Sequence, residues 1–314
     1  MHGYIINECK GAKIKFLNRM IESTGEDFLT RVSIEKLKNK SPNFMLKPNY
    51  HFVLQNGMKK KTRLAYEYET AEQFCLENNV PILIRELPVL RRICEGKTDK
   101  HTEFEERWFR FSWNSFFMDD GIHPYDPSYD RWSELQKKHN INVHDWKRRG
   151  DAILFCLQLD GDSALNRLIY NNIDYKEFCY NKILEIKKYT DRKIIIRNHP
   201  LDSSVGKFLT SKFENDPLIE FSNMPDLYSD LDRAWCVITY NSTSCVEAML
   251  YGTPVITLDS SAITHELDFK ISNIELDHTP ERINLLKKIA FMQWTGKECT
   301  SGYVWNLLKE CMPK

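Results

Sequence analysis

Apolar and polar residues alternate in blocks along residues 235–259. The apolar run at 236–239 is short enough for a buried strand, and residues 246–250 fit a helix that a glycine ends two residues later. A second apolar run at 255–258 predicts another strand. Residues 240–244, which are rich in hydroxyl and amide groups, form a loop before the helix. The pattern predicts a βαβ unit within a parallel sheet.

The same alternation of short apolar runs and amphipathic stretches extends over the whole chain and predicts an α/β fold. Predicted strands also cover residues 4–7, 49–55, 81–85, 152–157, 193–197 and 219–221. Predicted helices also cover residues 13–22, 64–78, 132–138, 175–189, 208–213, 282–290 and 303–309.

A polar, basic stretch at residues 139–150 separates two halves that each show this pattern. Because 314 residues correspond to about two domains, we place a boundary in this stretch. The predicted division is an N-terminal acceptor-binding lobe at 1–148, a C-terminal nucleotide-sugar-binding lobe at 149–295 and a C-terminal helix at 296–314. Residues 107–129 are rich in aromatic side chains and are predicted to be a loop that seals an interface between the lobes. Stacking on an acceptor ring is the alternative.

Polar side chains follow several predicted strands of the second half at the point where each strand ends. Asp160 and Asp162 follow the strand at 152–157, His199 follows the next strand, and the loop at 240–247 follows a third. Since the carboxyl ends of parallel strands meet at one edge of a sheet, we expect these groups to line one cleft. Free N–H groups at the start of the predicted helix attract anions, phosphate above all.

Each of these residues also has a purely structural interpretation. Ser242 or Ser244 alone can cap the helix, and Glu247 in the first turn can complement the helix dipole. In the first half, Glu86 lies just past a predicted strand. It is placed either to contact a ligand or to pair with one of the two arginines that follow it.

The composition fits an ordinary soluble globular protein, with 42% hydrophobic and 28% charged residues. No apolar run approaches the ~20 residues that span a bilayer, and the N-terminus shows no signal-peptide pattern. Nine cysteines without a Cys-x-x-Cys pair favour a reducing compartment and argue against structural zinc. We therefore expect a cytoplasmic protein, located in the host cytoplasm if the chain is of phage origin.

The net charge is zero, but it is unevenly distributed. Residues 1–150 hold 26 basic and 21 acidic residues, and the second half carries the matching acidic excess. The basic half is either solvated surface or a face for an anionic partner, such as an acidic glycan or nucleic acid. The basic residues cluster at Lys36, Lys38 and Lys40, at Lys59–Lys61 and Arg63, at Arg91 and Arg92, and at Lys147–Arg149.

Three motifs in the second half, in this order and spacing, resemble those of the capsule-polysaccharide glycosyltransferases that transfer 3-deoxy-octulosonic acid (Kdo) from CMP-Kdo. The resemblance covers roughly residues 150–295. The sequence departs from the family at Cys245–Val246, where Gly-Phe is usual, and at Cys156–Leu157, where Pro-Gly is usual. The matching motifs are Gln158-x-x-x-Asp162, Arg197-x-His199-Pro200 and Asn241-Ser242-x-Ser244-x-x-Glu247-Ala-x-x-x-Gly252.

The resemblance implies a GT-B-like fold, in which two Rossmann-like lobes with parallel sheets face a central cleft. It implies that Asp162 is the catalytic carboxylate, which acts as the nucleophile in the retaining Kdo enzymes. His199 and the loop at 241–247 would contact the nucleotide and its phosphate. The departures and the short N-terminal lobe leave the donor sugar, the acceptor and the anomeric outcome open.

We therefore predict a metal-independent glycosyltransferase with a CMP- or UDP/CDP-linked sugar donor and no further cofactor. The acceptor is either an anionic glycan or a hydroxymethylated base in duplex DNA, as in phage genome-modifying transferases. A CDP-polyol phosphotransferase and a non-catalytic glycan- or nucleic-acid-binding module are the alternatives. Predicted catalytic residues are Asp162, Glu86 and His199; donor-binding residues are Gln158, Arg197, His199, Tyr240, Asn241, Ser242, Thr243, Ser244 and Glu247; acceptor-binding residues are Trp113, Lys60 and Arg63.

Overall fold

The structure is a computed structural model, and it describes residues 1–6, 12–33, 51–56, 65–94 and 104–314. Within them the strands are β1 (His2–Ile6), β2 (Phe28–Val32), β3 (His51–Asn56), β4 (Ile82–Glu86), β5 (Trp108–Trp113), β6 (Ala152–Cys156), β7 (Ile194–Arg197), β8 (Ile219–Phe221), β9 (Ala234–Thr239), β10 (Val255–Thr257) and β11 (Trp294–Thr295). The α-helices are α1 (Ala12–Glu22), α2 (Ala65–Glu77), α3 (Arg91–Cys94), α4 (Arg131–His139), α5 (Asn166–Tyr170), α6 (Tyr175–Ile186), α7 (Ser204–Lys212), α8 (Leu227–Leu231), α9 (Ser244–Tyr251), α10 (Ile283–Ala290), α11 (Gly296–Thr300) and α12 (Tyr303–Glu310).

The chain divides into two compact units. Unit 1 consists of Met1–Ile141 and Leu286–Lys314, and unit 2 consists of Asn142–Leu285. The chain first passes from unit 1 to unit 2 between Ile141 and Asn142, inside the polar stretch in which we predicted a domain boundary. The division differs from the predicted lobes at the other end, because the chain after Leu285 returns to unit 1 instead of extending the second lobe and ending in a separate helix.

The described residues of unit 1 form a six-stranded sheet in the order β11-β5-β4-β3-β1-β2. Strands β1 to β4 run parallel, whereas β5 and β11 are antiparallel to their neighbours. Strand β5 corrects the prediction of a loop over 107–129, since the first part of that stretch is a buried strand of unit 1. Its aromatic side chains therefore fill the core of unit 1, where Trp113 meets Phe52 edge-on with ring centroids 5.6 Å apart.

Arg131 holds the returning segment against the rest of unit 1. Its buried guanidinium lies 3.9 Å from the ring centroid of Trp294, and its Nε donates to the carbonyl of Ala290 at 3.0 Å. Nη1 pairs with Glu298 at 2.5 Å. A buried arginine is tolerated because its donors are matched by carbonyl and carboxylate groups and its face by an aromatic ring.

Unit 2 contains a five-stranded, fully parallel sheet in the order β10-β9-β6-β7-β8. Counted along unit 2, this is the doubly wound order 3-2-1-4-5, and the direction of winding reverses between β6 and β9. Helix α9 crosses from β9 to β10 and ends at Gly252, whose φ of 79° suits glycine. A Cβ at Gly252 would lie 2.1 Å from the carbonyl oxygen of Asp145, so the position also lacks space.

In the described part of the chain, no helix combines the length and the apolar character that crossing a membrane requires. The cysteines described there are all unpaired, and most are buried. Burial raises the pKa of the Cys236 thiol to about 12, in keeping with its position among apolar side chains of the unit 2 core.

Candidate functional site

Gln158 and Asn241 meet at the carboxyl edge of the unit 2 sheet, where the winding direction reverses between β6 and β9. Nε2 of Gln158 donates to Oδ1 of Asn241 at 2.8 Å, and the backbone N–H of Asn241 donates to Oε1 of Gln158 at 2.8 Å. Open α/β sheets bind ligands at this point of reversal. The two predicted donor-binding residues therefore hold each other in a fixed orientation at the expected place.

The side chain of Asn241 also joins two further loops. Its Nδ2 donates to the carbonyl of Ala164, in the loop after β6, and to Oγ of Ser261, after β10; both distances are 2.8 Å. Since β9 lies between β6 and β10 in the sheet, these bonds fix the loop that follows β9 from both sides. The loop is thus rigidly placed before α9 begins.

Within the described structure, the backbone N–H groups of Ser242 and Thr243 have no hydrogen-bond partner. Ser242 Oγ accepts from the N–H of Ser244 at 3.3 Å, whereas the side chain of Thr243 makes no capping bond. Two free N–H groups therefore lie at the start of α9, just after the end of β9. Such groups, together with the helix dipole, favour an anion.

Tyr240 and Glu247 lie beneath this loop. Tyr240 is 3% exposed, and its hydroxyl donates to Oδ2 of Asp259 at 2.9 Å, so it supports the loop and offers no surface to a ligand from solvent. Glu247 is 8% exposed, in the first turn of α9. The hydroxyl oxygen of Ser244 is buried, and within the described structure it has no hydrogen-bond partner. Of the loop residues predicted to bind the donor, Tyr240 and Asn241 are bonded within unit 2, whereas Ser242 and Thr243 keep backbone N–H groups without a partner in the described structure.

Asp162 lies in the loop after β6, at the same edge. Its Oδ1 accepts from the N–H of Ala164 at 3.0 Å and from Oγ of Ser163 at 3.1 Å, so Asp162 caps the short 3-10 helix that follows. Asp160 links this loop to the next one, because its N–H donates to Oδ2 of Asp202 at 3.1 Å.

His199 follows β7, as predicted, and its Nδ1 accepts from the N–H of Leu201 at 3.2 Å. In the neutral ring this bond places the proton on Nε2, which is then a donor. A cavity of about 430 Å³ opens beside it, lined by residues 197–203 together with Ser222 and Met224. Asp162, His199 and Ser242 thus follow adjacent strands at one edge, as the sequence predicted.

Arg197 differs from its predicted role as a free phosphate ligand. Its Nη1 pairs with Oδ2 of Asp230 at 2.5 Å and donates to the carbonyl of Met224 at 3.3 Å. Asp230 is fully buried, and the same oxygen accepts from Oγ of Ser222 at 2.6 Å. The charge of Arg197 is therefore balanced by a carboxylate inside unit 2.

The structure adds three residues that sequence reasoning missed: Arg167, Asp259 and Ser261. Nη1 of Arg167 donates to Oδ1 of Asp259 at 3.3 Å and to Oγ of Ser260 at 3.0 Å. Asp259 stands two residues past the end of β10, so its position after a strand was a usable signal. Arg167 lies inside a helical stretch and carried no such signal.

A carboxylate–histidine pair lies near the end of β10. Oδ2 of Asp268 accepts from the N–H of Thr257 at 2.9 Å and lies 3.0 Å from Nδ1 of His265. Burial raises the pKa of Asp268 to about 6, although its hydrogen bonds and His265 oppose that shift. Within the described residues, no three His, Cys, Asp or Glu side chains are grouped to hold a metal ion.

The predicted residues of unit 1 fall into three groups. Glu86 ends β4, accepts from the N–H of Leu87 at 2.9 Å and lies opposite Arg110, whose pKa burial lowers to about 10. Trp113 is wrong as an acceptor-binding residue, because it is fully buried and its Nε1 donates to the carbonyl of Leu308. Lys60 and Arg63 lie outside the described residues, as do the basic clusters at 36–40 and 59–63.

Comparison with known proteins bears on the same segment of the chain. Residues 128–263 match the sequence model of a family described as capsule polysaccharide biosynthesis protein. Curated protein sequences gave no significant match.

Two solved structures from Thermosulfurimonas dismutans are similar to this chain. The KpsC β-Kdo 2,4 transferase has a TM-score of 0.52 at 14% identity, covering 93% of this chain and 90% of that one. The KpsC β-Kdo 2,7 transferase has a TM-score of 0.48 at 12% identity, covering 98% and 99%. The predicted GT-B-like α/β class, with two Rossmann-like units, is confirmed. The predicted resemblance is confirmed as well: through residues 128–263, this chain resembles the capsule polysaccharide biosynthesis family.

Proposed function

We propose that the protein is a glycosyltransferase that takes a sugar from a nucleotide-sugar donor bound at the carboxyl edge of the unit 2 sheet. One observation carries the proposal: the Gln158–Asn241 pair holds the loop after β9 so that the N–H groups of Ser242 and Thr243 are free at the start of α9. The family match over residues 128–263 supports the same conclusion.

The chemistry follows from the charge that develops on the leaving group. As the bond between the anomeric carbon and the phosphate oxygen breaks, the electron pair leaves with the nucleotide, and free N–H groups stabilise it without a metal ion. In an inverting reaction the acceptor oxygen bonds to the anomeric carbon and its proton passes to Asp162. In a retaining reaction Asp162 first bonds to that carbon, and the acceptor oxygen then displaces it and gives its proton to the phosphate of the departed nucleotide. Asp162 would face the anomeric carbon, as nucleophile in a retaining reaction or as base in an inverting one.

The donor is the first thing to test, by thermal shift with CMP, UDP, CDP and GDP. A nucleotide at a hundred times its dissociation constant adds about 2.7 kcal/mol to the free energy of unfolding. For a domain of this size, that raises Tm by roughly 5–10 °C. If none of the four raises Tm, the proposal that a cytidine, uridine or guanosine nucleotide carries the donor sugar fails.

Asp162→Ala tests the catalytic assignment once a donor is known. Loss of a nucleophile costs several orders of magnitude in turnover, with donor binding retained. Unchanged turnover would remove Asp162 from the mechanism. Turnover of CDP-glycerol without turnover of any sugar nucleotide would favour a polyol phosphotransferase, and tight binding without turnover would favour a binding module.

The acceptor is proposed to be an anionic glycan, because the first half of the chain carries the basic excess. The KpsC structures are described as Kdo transferases, which fits a glycan acceptor. A modified base in duplex DNA is the rival, and it predicts binding to duplex DNA that weakens steeply with salt. Absence of DNA binding at low salt would exclude the rival.

A further inference from the structure

We propose that Arg167, and not Arg197, is the side chain that binds the donor phosphate at the carboxyl edge of unit 2. The inference rests on the proposed function and adds one residue to it. It comes from the position of the Arg167 guanidinium relative to the strands, and from the ion pair that Arg197 already forms with Asp230.

Arg167 reaches across the end of β9. It belongs to α5, which follows β6, yet its Nη1 donates to Asp259 and Ser260, which follow β10. In the sheet order β10-β9-β6, a side chain that joins the loops after β6 and β10 passes over the end of β9. The loop that continues from β9 carries the free N–H groups of Ser242 and Thr243.

Asn241 also links the segments that follow β6 and β10, and these bonds define the position of the Arg167 guanidinium more closely. Its Nδ2 joins the carbonyl of Ala164, three residues before Arg167, to Oγ of Ser261, one residue after Ser260. The guanidinium and the start of α9 are therefore attached to the same two short segments. A phosphate that accepts from Ser242 and Thr243 would lie beside the guanidinium.

The guanidinium is held in place before any ligand arrives. Oδ2 of Asp259 accepts from the hydroxyl of buried Tyr240 at 2.9 Å, and Oδ1 accepts from the N–H of Ser261 at 2.9 Å. The carboxylate that orients Arg167 is thus itself fixed. The side chain of Arg167 stays 26% exposed, so a ligand from solvent can reach it. Orientation in advance lowers the entropy lost on binding.

Arg197 and Lys176 are also paired with carboxylates near this edge, and Arg197 differs from Arg167 in that its partner Asp230 is fully buried. Arg197 neutralises fully buried Asp230, and taking it away would leave a buried charge without a partner. Lys176 pairs with Asp160 at 3.4 Å, away from the loop after β9. Because Asp162 and Asp259 also bring negative charge to the edge, an anionic donor needs a cation at the position of Arg167.

The test separates phosphate binding from general damage by pairing each nucleotide with its nucleoside. Calorimetry measures binding of CMP and cytidine, and of UMP and uridine, to the wild type, Arg167→Gln and Arg167→Lys. Loss of a charge-assisted hydrogen bond weakens binding roughly 10- to 100-fold. We expect that loss for the nucleotides with Arg167→Gln, a smaller loss with Arg167→Lys, and unchanged binding of the nucleosides.

Lys212→Gln is the matched control, since it removes one positive charge from the last turn of α7. Lys212 is 40% exposed and forms a long ion pair with Glu177 at 3.8 Å. The variant Lys212→Gln should bind each nucleotide and nucleoside as the wild type does. Equal nucleotide binding by the wild type and Arg167→Gln overturns the inference alone, and so does an equal loss for nucleotide and nucleoside. No nucleotide binding by the wild type overturns the proposed function, and the inference with it.

Discussion

The ion pair between Arg197 and Asp230 allows a stability prediction whose size comes from the structure. Asp230 is fully buried, and its Oδ2 accepts from Arg197 at 2.5 Å and from Ser222 at 2.6 Å. Arg197→Met keeps most of the length of the side chain but leaves the carboxylate without a cation. Removing one partner of a buried pair costs about 3–5 kcal/mol, because the remaining charge stays out of water.

Scanning calorimetry of the full chain measures this cost. A domain of this size loses roughly 2–4 °C of Tm per kcal/mol, so we expect the unit 2 transition to fall by about 10 °C. Lys193→Met is the control: Lys193 forms a half-exposed pair with Glu220 at 3.7 Å, worth at most about 1 kcal/mol.

The double variant Arg197→Met/Asp230→Leu completes the thermodynamic cycle. An apolar pair of similar volume removes both buried charges, so the double variant should recover most of the lost stability. Two results would refute the reasoning: a shift for Arg197→Met no larger than that of Lys193→Met, or a double variant as unstable as the two single changes added together.

Three further predictions concern pH and backbone geometry. Burial raises the pKa of Asp268 to about 6, so the folded state favours its protonated form and loses stability as the pH rises from about 4 to about 6. The variant Asp268→Asn should lack this slope when Tm is measured against pH. Burial and, to a smaller extent, the charge of Arg110 lower the pKa of His123 to about 3. The folded state therefore keeps the ring neutral and loses stability as the pH falls from about 6.5 toward 3. Urea titrations at several pH values should show a weaker acid dependence for His123→Gln than for the wild type. Gly252→Ala places an alanine at a φ of 79° and brings its Cβ close to the carbonyl oxygen of Asp145. The urea midpoint should therefore fall by more than the equivalent of about 1 kcal/mol. An unchanged midpoint would show that the segment containing Asp145 moves aside without a measurable cost.

Strands β6, β7, β9 and β10 of unit 2 were predictable because each is a short apolar run that is largely buried. The predicted strand at 152–157 appears as Ala152–Cys156, and that at 193–197 as Ile194–Arg197. The convergence of the loops after β6, β7 and β9 followed from the rule that parallel strands end at one edge. Local sequence features, namely apolar runs and the polar groups that follow them, were thus enough to predict which strands and loops form the site.

Contacts between distant parts of the chain were not predictable. Strand β5 does carry the alternation of a strand, since Arg110 and Ser112 separate its aromatic residues, but the aromatic content of 107–129 led to the prediction of a loop. The sequence did not reveal that the polar positions of this strand are buried as well. Arg197 ends strand β7 and its partner Asp230 lies in helix α8, and no residue near Arg197 in the sequence indicates this pairing. Arg167 was missed for the same reason, since its importance comes from Asp259 beyond β10.

Strand β11 has a consequence for how the molecule is made. Its residues pair with Trp108 and Phe109 of β5, so the sheet of unit 1 gains its last strand only after all of Asn142–Leu285 has been synthesised. During synthesis, all of unit 2 therefore leaves the ribosome while the backbone N–H and C=O groups on the outer edge of β5 are still unpaired. An uncovered strand of this kind is a template for aggregation. Slower translation between these segments would lengthen that exposure, and a chaperone that shields β5 in the nascent chain would raise the yield of folded protein.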